Sequence, residues 1–165
     1  MRPHAATRLA LVAWLATTTL AASVSAAEPQ VKVLPGEKCP VCGMFVAKYP
    51  DWVAGVRFSN GDRAVFDGAK DLLKFLLAFE DYGEVARRKD RAALFVTDYY
   101  ALRTIDARSA FYVVGGDVLG PMGRELVPFE QEADAREFLK DHRSERIIRF
   151  ADVTAALLRD LDGEP

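Results

Sequence analysis

The sequence predicts an α+β fold made of two tandem ββαβ units in pseudo-twofold relation, closed by a C-terminal helix. Three observations predict it. An Asn60-Gly61 step separates two β-rich runs, apolar stripes recur at helical spacing, and the two halves align without a gap at an offset of 63 residues. The offset pairs Phe66 with Phe129, Phe75 with Phe138 and Leu76 with Leu139. Self-similarity at a fixed period marks each repeat as one supersecondary unit, and such units bury their apolar faces by packing in layers.

The elements follow in order. Glu28 to Lys38 carries Pro29, Pro35 and Gly36 and reads as an extended lead-in. Trp52 to Phe58 meets Arg63 to Phe66 through Ser59-Asn60-Gly61-Asp62, and Asn-Gly between two such runs is a hairpin signal. Asp67 is the expected N-cap of a helix whose stripe is Leu72, Leu73, Leu76, Leu77 and Phe79, ending near Tyr82-Gly83. Leu94 to Thr97 follows as a buried strand. The order then returns: strand Phe111 to Val114, a turn at Gly120-Pro121-Met122-Gly123, strand Glu125 to Phe129, helix Glu130 to His142 and strand Ile147 to Phe150. Asp152 to Leu161 forms the last helix. The expected division is therefore a signal peptide at 1–27, a first unit at 28–100, and a second unit with the terminal helix at 101–165.

Residues 1–27 have the signal-peptide layout: Arg2 and Arg8, an apolar stretch from Leu9 to Ala22, then Val24-Ser25-Ala26-Ala27. Cleavage is expected after Ala26 or Ala27, which puts the folded part in the periplasm. Losing the leader moves the formal charge from −2 to about −4. Such a balance offers no basic excess for nucleic acid. The run Arg87-Arg88-Lys89 is flanked by Glu84, Asp90 and Arg91 and reads as a solvated helix end, with a transient membrane-surface contact as the alternative. The chain is expected to be a monomer.

The only two cysteines lie in Cys39-Pro40-Val41-Cys42, directly followed by Gly43-Met44. A bridge between them would close almost no loop and stabilise little, so chemistry explains the pair better. Thiolate and thioether are soft donors that prefer Cu(I), although Ag(I) and Hg(II) share that preference. Structural zinc normally takes four ligands, and after processing the chain adds only His142 to the two cysteines. A thiol oxidoreductase would set Cys-x-x-Cys at a helix start after a strand, and neither element is expected here. A local disulfide remains an alternative.

Met44 and Met122 are the only methionines of the mature chain, and neither falls on an apolar helical face. Met122 occupies a glycine-flanked turn aligned at the offset with Ser59 of the first hairpin. The expected metal ligands are Cys39, Cys42, Met44 and Met122. His142 ends a helix, where an imidazolium meets the helix dipole, with ligation as the lesser alternative. Asp98, Tyr99, Tyr100 and Asp106 follow strands and either line the site or lock the loops around it.

These pieces resemble the NosL family, accessory proteins of nitrous oxide reductase maturation in denitrification. The residues that carry the resemblance are Cys-Pro-Val-Cys-Gly-Met at 39–44, Gly61 with Phe66-Asp67, Thr97-Asp98-Tyr99, Ile105-Asp106-Ala107, and Pro121-Met122-Gly123 leading to Phe129. The resemblance implies a fold related to organomercurial lyase and Cu(I) binding through cysteine and methionine. It also implies a metallochaperone without catalytic turnover, which delivers copper to a copper-accepting enzyme or its membrane assembly complex. Many members are lipoproteins, but no cysteine precedes Cys39, so no lipid anchor is expected. Two alternatives stay open. A thiol-disulfide redox protein is one, and an organomercurial-lyase-like enzyme with Asp98 as proton donor is the other.

Overall fold

A computed structural model describes residues 30–78, 81–83 and 88–163. The expected leader at 1–27, Phe79 of the helical stripe and Arg87 of the basic run lie outside the described residues. Two sheets organise the rest. The first holds β1 (Ala54–Phe58), β2 (Arg63–Phe66), β3 (Arg91–Thr97) and β4 (Thr104–Asp106) in the order β2-β1-β3-β4. The second holds β5 (Phe111–Gly120), β6 (Gly123–Phe129) and β7 (Arg146–Arg149) in the order β6-β5-β7. Helices α1 (Ala69–Leu77) and α2 (Glu132–Asp141) follow β2 and β6, and α3 (Ala155–Asp162) ends the described chain.

In both halves the first strand of the hairpin is central, its partner lies on one side, and the strand after the helix returns antiparallel on the other. That is ββαβ twice, as the repeat predicts. The ungapped alignment is corrected, however. Ala54 pairs with Phe66 whereas Phe111 pairs with Phe129, so the second hairpin is six residues longer. The register of β5 against β6 shifts between Val114 and Leu119, and Gly115 and Gly116 take φ of +82° and +99°, a conformation that costs glycine little. Met122 still sits at the tip of its hairpin, between the paired Gly120 and Gly123, as Ser59 sits in the turn of the shorter one.

Other boundaries move for local reasons. β4 was not expected as a strand; it extends the first sheet to Asp106, past the expected division at residue 100. α1 stops at Leu77, short of the Tyr82-Gly83 end expected for it. α2 starts at Glu132 rather than Glu130, because the Glu130 amide is held outside the helix by the Asp98 carboxylate at 2.7 Å. α3 starts at Ala155 because the Thr154 hydroxyl accepts from the Leu157 amide at 3.2 Å, a helix cap.

The larger core runs through both halves. Val56, Phe58, Phe66, Leu72 and Phe75 pack in it with Tyr112, Val114 and Leu126 of the second sheet. Side chains alternate across a strand, so Val113, Val127 and Phe129 face the other way, onto Ala135 and Phe138 of α2. This packing brings the start of α1 between the Cys39 loop and the β5–β6 hairpin.

Candidate metal centre

The loop from Glu37 to Val46 is a tight knuckle. Lys38 and Phe45 bridge as antiparallel partners, the Cys39 amide donates to the Met44 carbonyl at 2.9 Å, and the Gly43 amide returns to the Cys39 carbonyl at 2.9 Å. Gly43 has φ of +76°, open to glycine at little cost, and this residue lets the chain reverse. The reversal aims the amides of Cys42 and Val41 at the Cys39 sulfur, and that of Met44 at the Cys42 sulfur. As expected, the motif does not open an α-helix.

The start of α1 and the residue before its cap meet these sulfurs. Cys39 Sγ lies 3.2 Å from Asp71 Oδ2, and Cys42 Sγ lies 3.2 Å from Asp67 Oδ1. Donor atoms of Cys39, Cys42, Asp67 and Asp71 all fall within 4.8 Å of one another. Cys39 is 2% exposed, Asp67 1% and Asp71 2%, while Cys42 is part-exposed, so the cluster is buried on one side and open on the other. The Asp67 cap is corrected. Gly68 is the N-cap, in extended conformation, and Asp67 precedes it with its carboxylate turned to Cys42.

Burial is the main force on the protonation of this cluster, because it disfavours charge. It pushes the Cys39 thiol far above its usual range, aided by the charges of Asp71 and Asp67 and only partly offset by the loop amides. Burial likewise pushes Cys42 up to about 12. It raises Asp71 as well, against the lowering effect of the thiol hydrogen bonds. Among the described residues Asp71 Oδ1 is buried without a hydrogen-bond partner, and Lys74 Nζ lies 3.9 Å from it. A buried oxygen left unpaired beside two thiols suits a site that receives a cation.

The remaining candidates separate. Met44 is half-buried in the knuckle, and its carbonyl closes the loop. Met122 is 42% exposed at the hairpin tip, and its carbonyl accepts from Lys70 Nζ, on α1 beside Asp71, at 3.0 Å. His142 lies at the C-terminal end of α2, as expected, where it stacks on Phe138 at 4.2 Å and bonds Asp117 at 2.9 Å. Asp98 accepts from the amides of Tyr100, Ala101 and Glu130, and Asp106 from those of Arg108 and Ser109; both lock loops. The carboxylates beside the thiols are Asp67 and Asp71. Sequence reasoning spent Asp67 on a helix cap and gave Asp71 no role, and the two meet the sulfurs from either side of the Gly68 cap.

The NosL family model matches residues 30–158. The chain belongs to the NosL family. It is 31% identical over 135 residues to the copper-binding lipoprotein NosL of Stutzerimonas stutzeri, a match that covers 75% of this chain and 65% of that protein. The chain thus spans less than two thirds of that relative's length. The crystal structure of the copper chaperone NosL from Shewanella denitrificans shares the fold, with a TM-score of 0.63 at 24% identity over 76% of this chain and 96% of that one.

Proposed function

We propose that this NosL-family protein is a periplasmic carrier of Cu(I), which it takes up through Cys39, Cys42 and the thioethers of Met44 and Met122. It releases the ion to a copper-accepting enzyme, nitrous oxide reductase or a relative, or to that enzyme's membrane assembly complex. The observation that carries the proposal is the convergence of two thiols from one knuckle at a single point, with a methionine-bearing turn tied to the same helical turn. The naming of copper for two NosL relatives supports the choice of metal.

Copper is cargo here. Each thiol must lose its proton to become a ligand, and Asp71 and Asp67 already accept those protons in hydrogen bonds. Carboxylates are hard donors and compete poorly for Cu(I), so they serve as proton acceptors and hold the sulfurs in place. The open side suits delivery. Part-exposed Cys42 and exposed Met122 leave room for an incoming ligand from the acceptor, so the ion passes by exchange and never stands bare.

Anaerobic titration of the reduced chain against a Cu(I) chelator tests this. One Cu(I) per chain is expected, lost when the cysteines are oxidised. No competition with the chelator would overturn the proposal. One observation favours a second reading: Asp71, with its raised carboxyl, stands beside Cys39 where protonolysis of a carbon–mercury bond needs a proton. Incubation with an organomercurial and excess thiol decides, since repeated release of hydrocarbon replaces the carrier by the lyase.

A further inference from the structure

We infer that Lys70 is a positioning residue which holds the Met122 tip beside the Cys39–Cys42 centre and so joins the two halves of the site. The inference rests on the reading that Met122 donates to copper.

Lys70 is 0% exposed, and an ammonium is taken out of water only where partners replace its hydration. Its partners come from two distant elements. Asp162 of α3 accepts at 3.1 Å, and the Met122 carbonyl at the tip of β5–β6 accepts at 3.0 Å. The Lys70 backbone is fixed as well: its amide donates to the fully buried Glu125 of β6 at 2.6 Å, and this carboxylate caps α1 from the other half of the molecule. The fit around Glu125 is close. A Cβ at Gly68 would collide with its carboxylate, and one at Gly120 would come within 3.0 Å of its Cβ.

The start of α1, with the residue before its cap, therefore faces two ways. Asp67 and Asp71 turn to the sulfurs of the knuckle, while Lys70 and its amide turn to the hairpin. Met122 itself is 42% exposed and flanked by glycines at 120 and 123, so packing does little to place its side chain. Its backbone is placed by the Lys70 ammonium. A thioether on a tip free to swing would contribute little to affinity, because the ion would have to order it at each binding event.

The test is a double-mutant cycle on the reduced mature chain: parent, Met122→Leu, Lys70→Leu and the double variant. Cu(I) affinity is read by chelator competition, the sulfur shell by X-ray absorption, and the Met122 methyl by NMR of methyl-labelled methionine. Support groups that orient ligands typically change affinity by roughly 10- to 100-fold, and that range is expected for Lys70→Leu, which removes the ammonium without adding a sulfur. Met122→Leu should lose a similar factor, the double variant no more than the larger single loss, and the copper-induced methyl shift should vanish in Lys70→Leu. Losses that multiply, or a methyl shift that survives in Lys70→Leu, would overturn the inference. If Met122→Leu binds as the parent does, the ligand reading falls and this inference with it. If Met122→Leu weakens binding and Lys70→Leu does not, only the positioning role falls. Should Lys70→Leu fail to fold, Asp162→Asn keeps the side-chain volume and removes the ammonium's carboxylate. A smaller loss in the same direction is then expected, and parent-like affinity overturns the role.

Discussion

The starts of α1 and α2 occupy equivalent places in the two ββαβ units, and both carry acids in register. At the 63-residue offset Asp67 corresponds to Glu130, and Asp71 to Asp134. The fold thus places carboxylates at each helix start, where the helix dipole favours them. Their surroundings differ. Asp67 and Asp71 are buried against thiols, whereas Glu130 pairs with Arg103 at a part-exposed site and Asp134 is half-exposed. The residue matching Lys70 is exposed Ala133. What makes the first helix start a site is the knuckle laid over it, and among the described residues that knuckle is the only cysteine-bearing segment. Architecture supplies the acids in both halves, and the lead-in supplies the chemistry in one.

The largest expected effect breaks this asymmetry. Replacing Cys39 and Cys42 together by Ser should lower Cu(I) affinity by more than the roughly 100-fold upper range of changes to supporting groups. The matched pair Glu130→Gln with Asp134→Asn in the second half should leave affinity unchanged. Chelator competition on both double variants reads the difference, and equal losses would show that the halves are not distinguished by the sulfurs. Protonation sharpens the same comparison. With Cys42 pushed up to about 12 and Cys39 higher still, both thiols are protonated at neutral pH. Affinity should then rise with pH by about tenfold per unit for each proton copper displaces.

Stability divides the other way. Phe138 is fully buried in the second half, against Tyr99, Tyr100, Phe129 and His142 with ring centroids 4.2 to 6.2 Å apart. Phe138→Ala should cost about 3–5 kcal/mol of unfolding free energy in a denaturant titration. Copper affinity of the folded fraction should not change, because this cluster lies on the α2 face of the second sheet.

The offset of 63 was legible because Phe66, Phe75 and their partners pack equivalent helices on equivalent hairpins, so the same apolar residues recur. The hairpin extension was not, since Gly115, Gly116 and Asp117 interrupt the apolar run of β5 and so read as its end, before Val118 and Leu119 resume the strand. Soft-donor chemistry was legible in Cys39 to Met44, where three sulfurs share six residues. Asp67 was hidden by a competing local explanation, since Asp at a helix start needs no tertiary partner to be understood, and Asp71 drew no notice as one polar residue beside an apolar stripe. Lys70 and Glu125 were hidden for a related reason, because a charged residue gives no sign in sequence that its partners lie some 50 residues away.

A smaller effect compares two acids at the offset, Asp62 and Glu125. Burial pushes the Glu125 carboxyl up to about 8 from an ordinary 4.5, despite the Leu126 amide and Lys70. Between those values the folded state holds more protons than the unfolded one. Stability from this group therefore falls as pH rises through that window, by at most about 1.4 kcal/mol per pH unit. Glu125→Gln should flatten the slope in unfolding titrations run from pH 5 to 8. Asp62 is exposed, and Asn60 and Arg88 hold its carboxyl below the usual range, so its contribution has the opposite sign and is lost only on acidification. A Glu125→Gln variant with the parent's slope would mean that the buried carboxyl does not govern this window.

The smallest expected effect concerns His142, the one histidine among the described residues. As the C-cap of α2 it places its ring on Phe138 and near Asp117, and a cationic ring there gains from the helix dipole. Those interactions are partly solvated, with 32% of the side chain exposed, and together amount to about 1 kcal/mol or less. His142→Gln should therefore lower stability slightly and leave the copper coordination untouched, because the ring packs on Phe138 and bonds Asp117, both in the second half of the molecule. The variant is informative because its two readouts are independent. A stability loss with parent-like Cu(I) affinity confirms a cap, whereas a loss of affinity together with a lost nitrogen scatterer in X-ray absorption would bring imidazole into the centre. That outcome would remove the asymmetry between the halves, since the second would then supply a donor from its helix as well as from its hairpin tip.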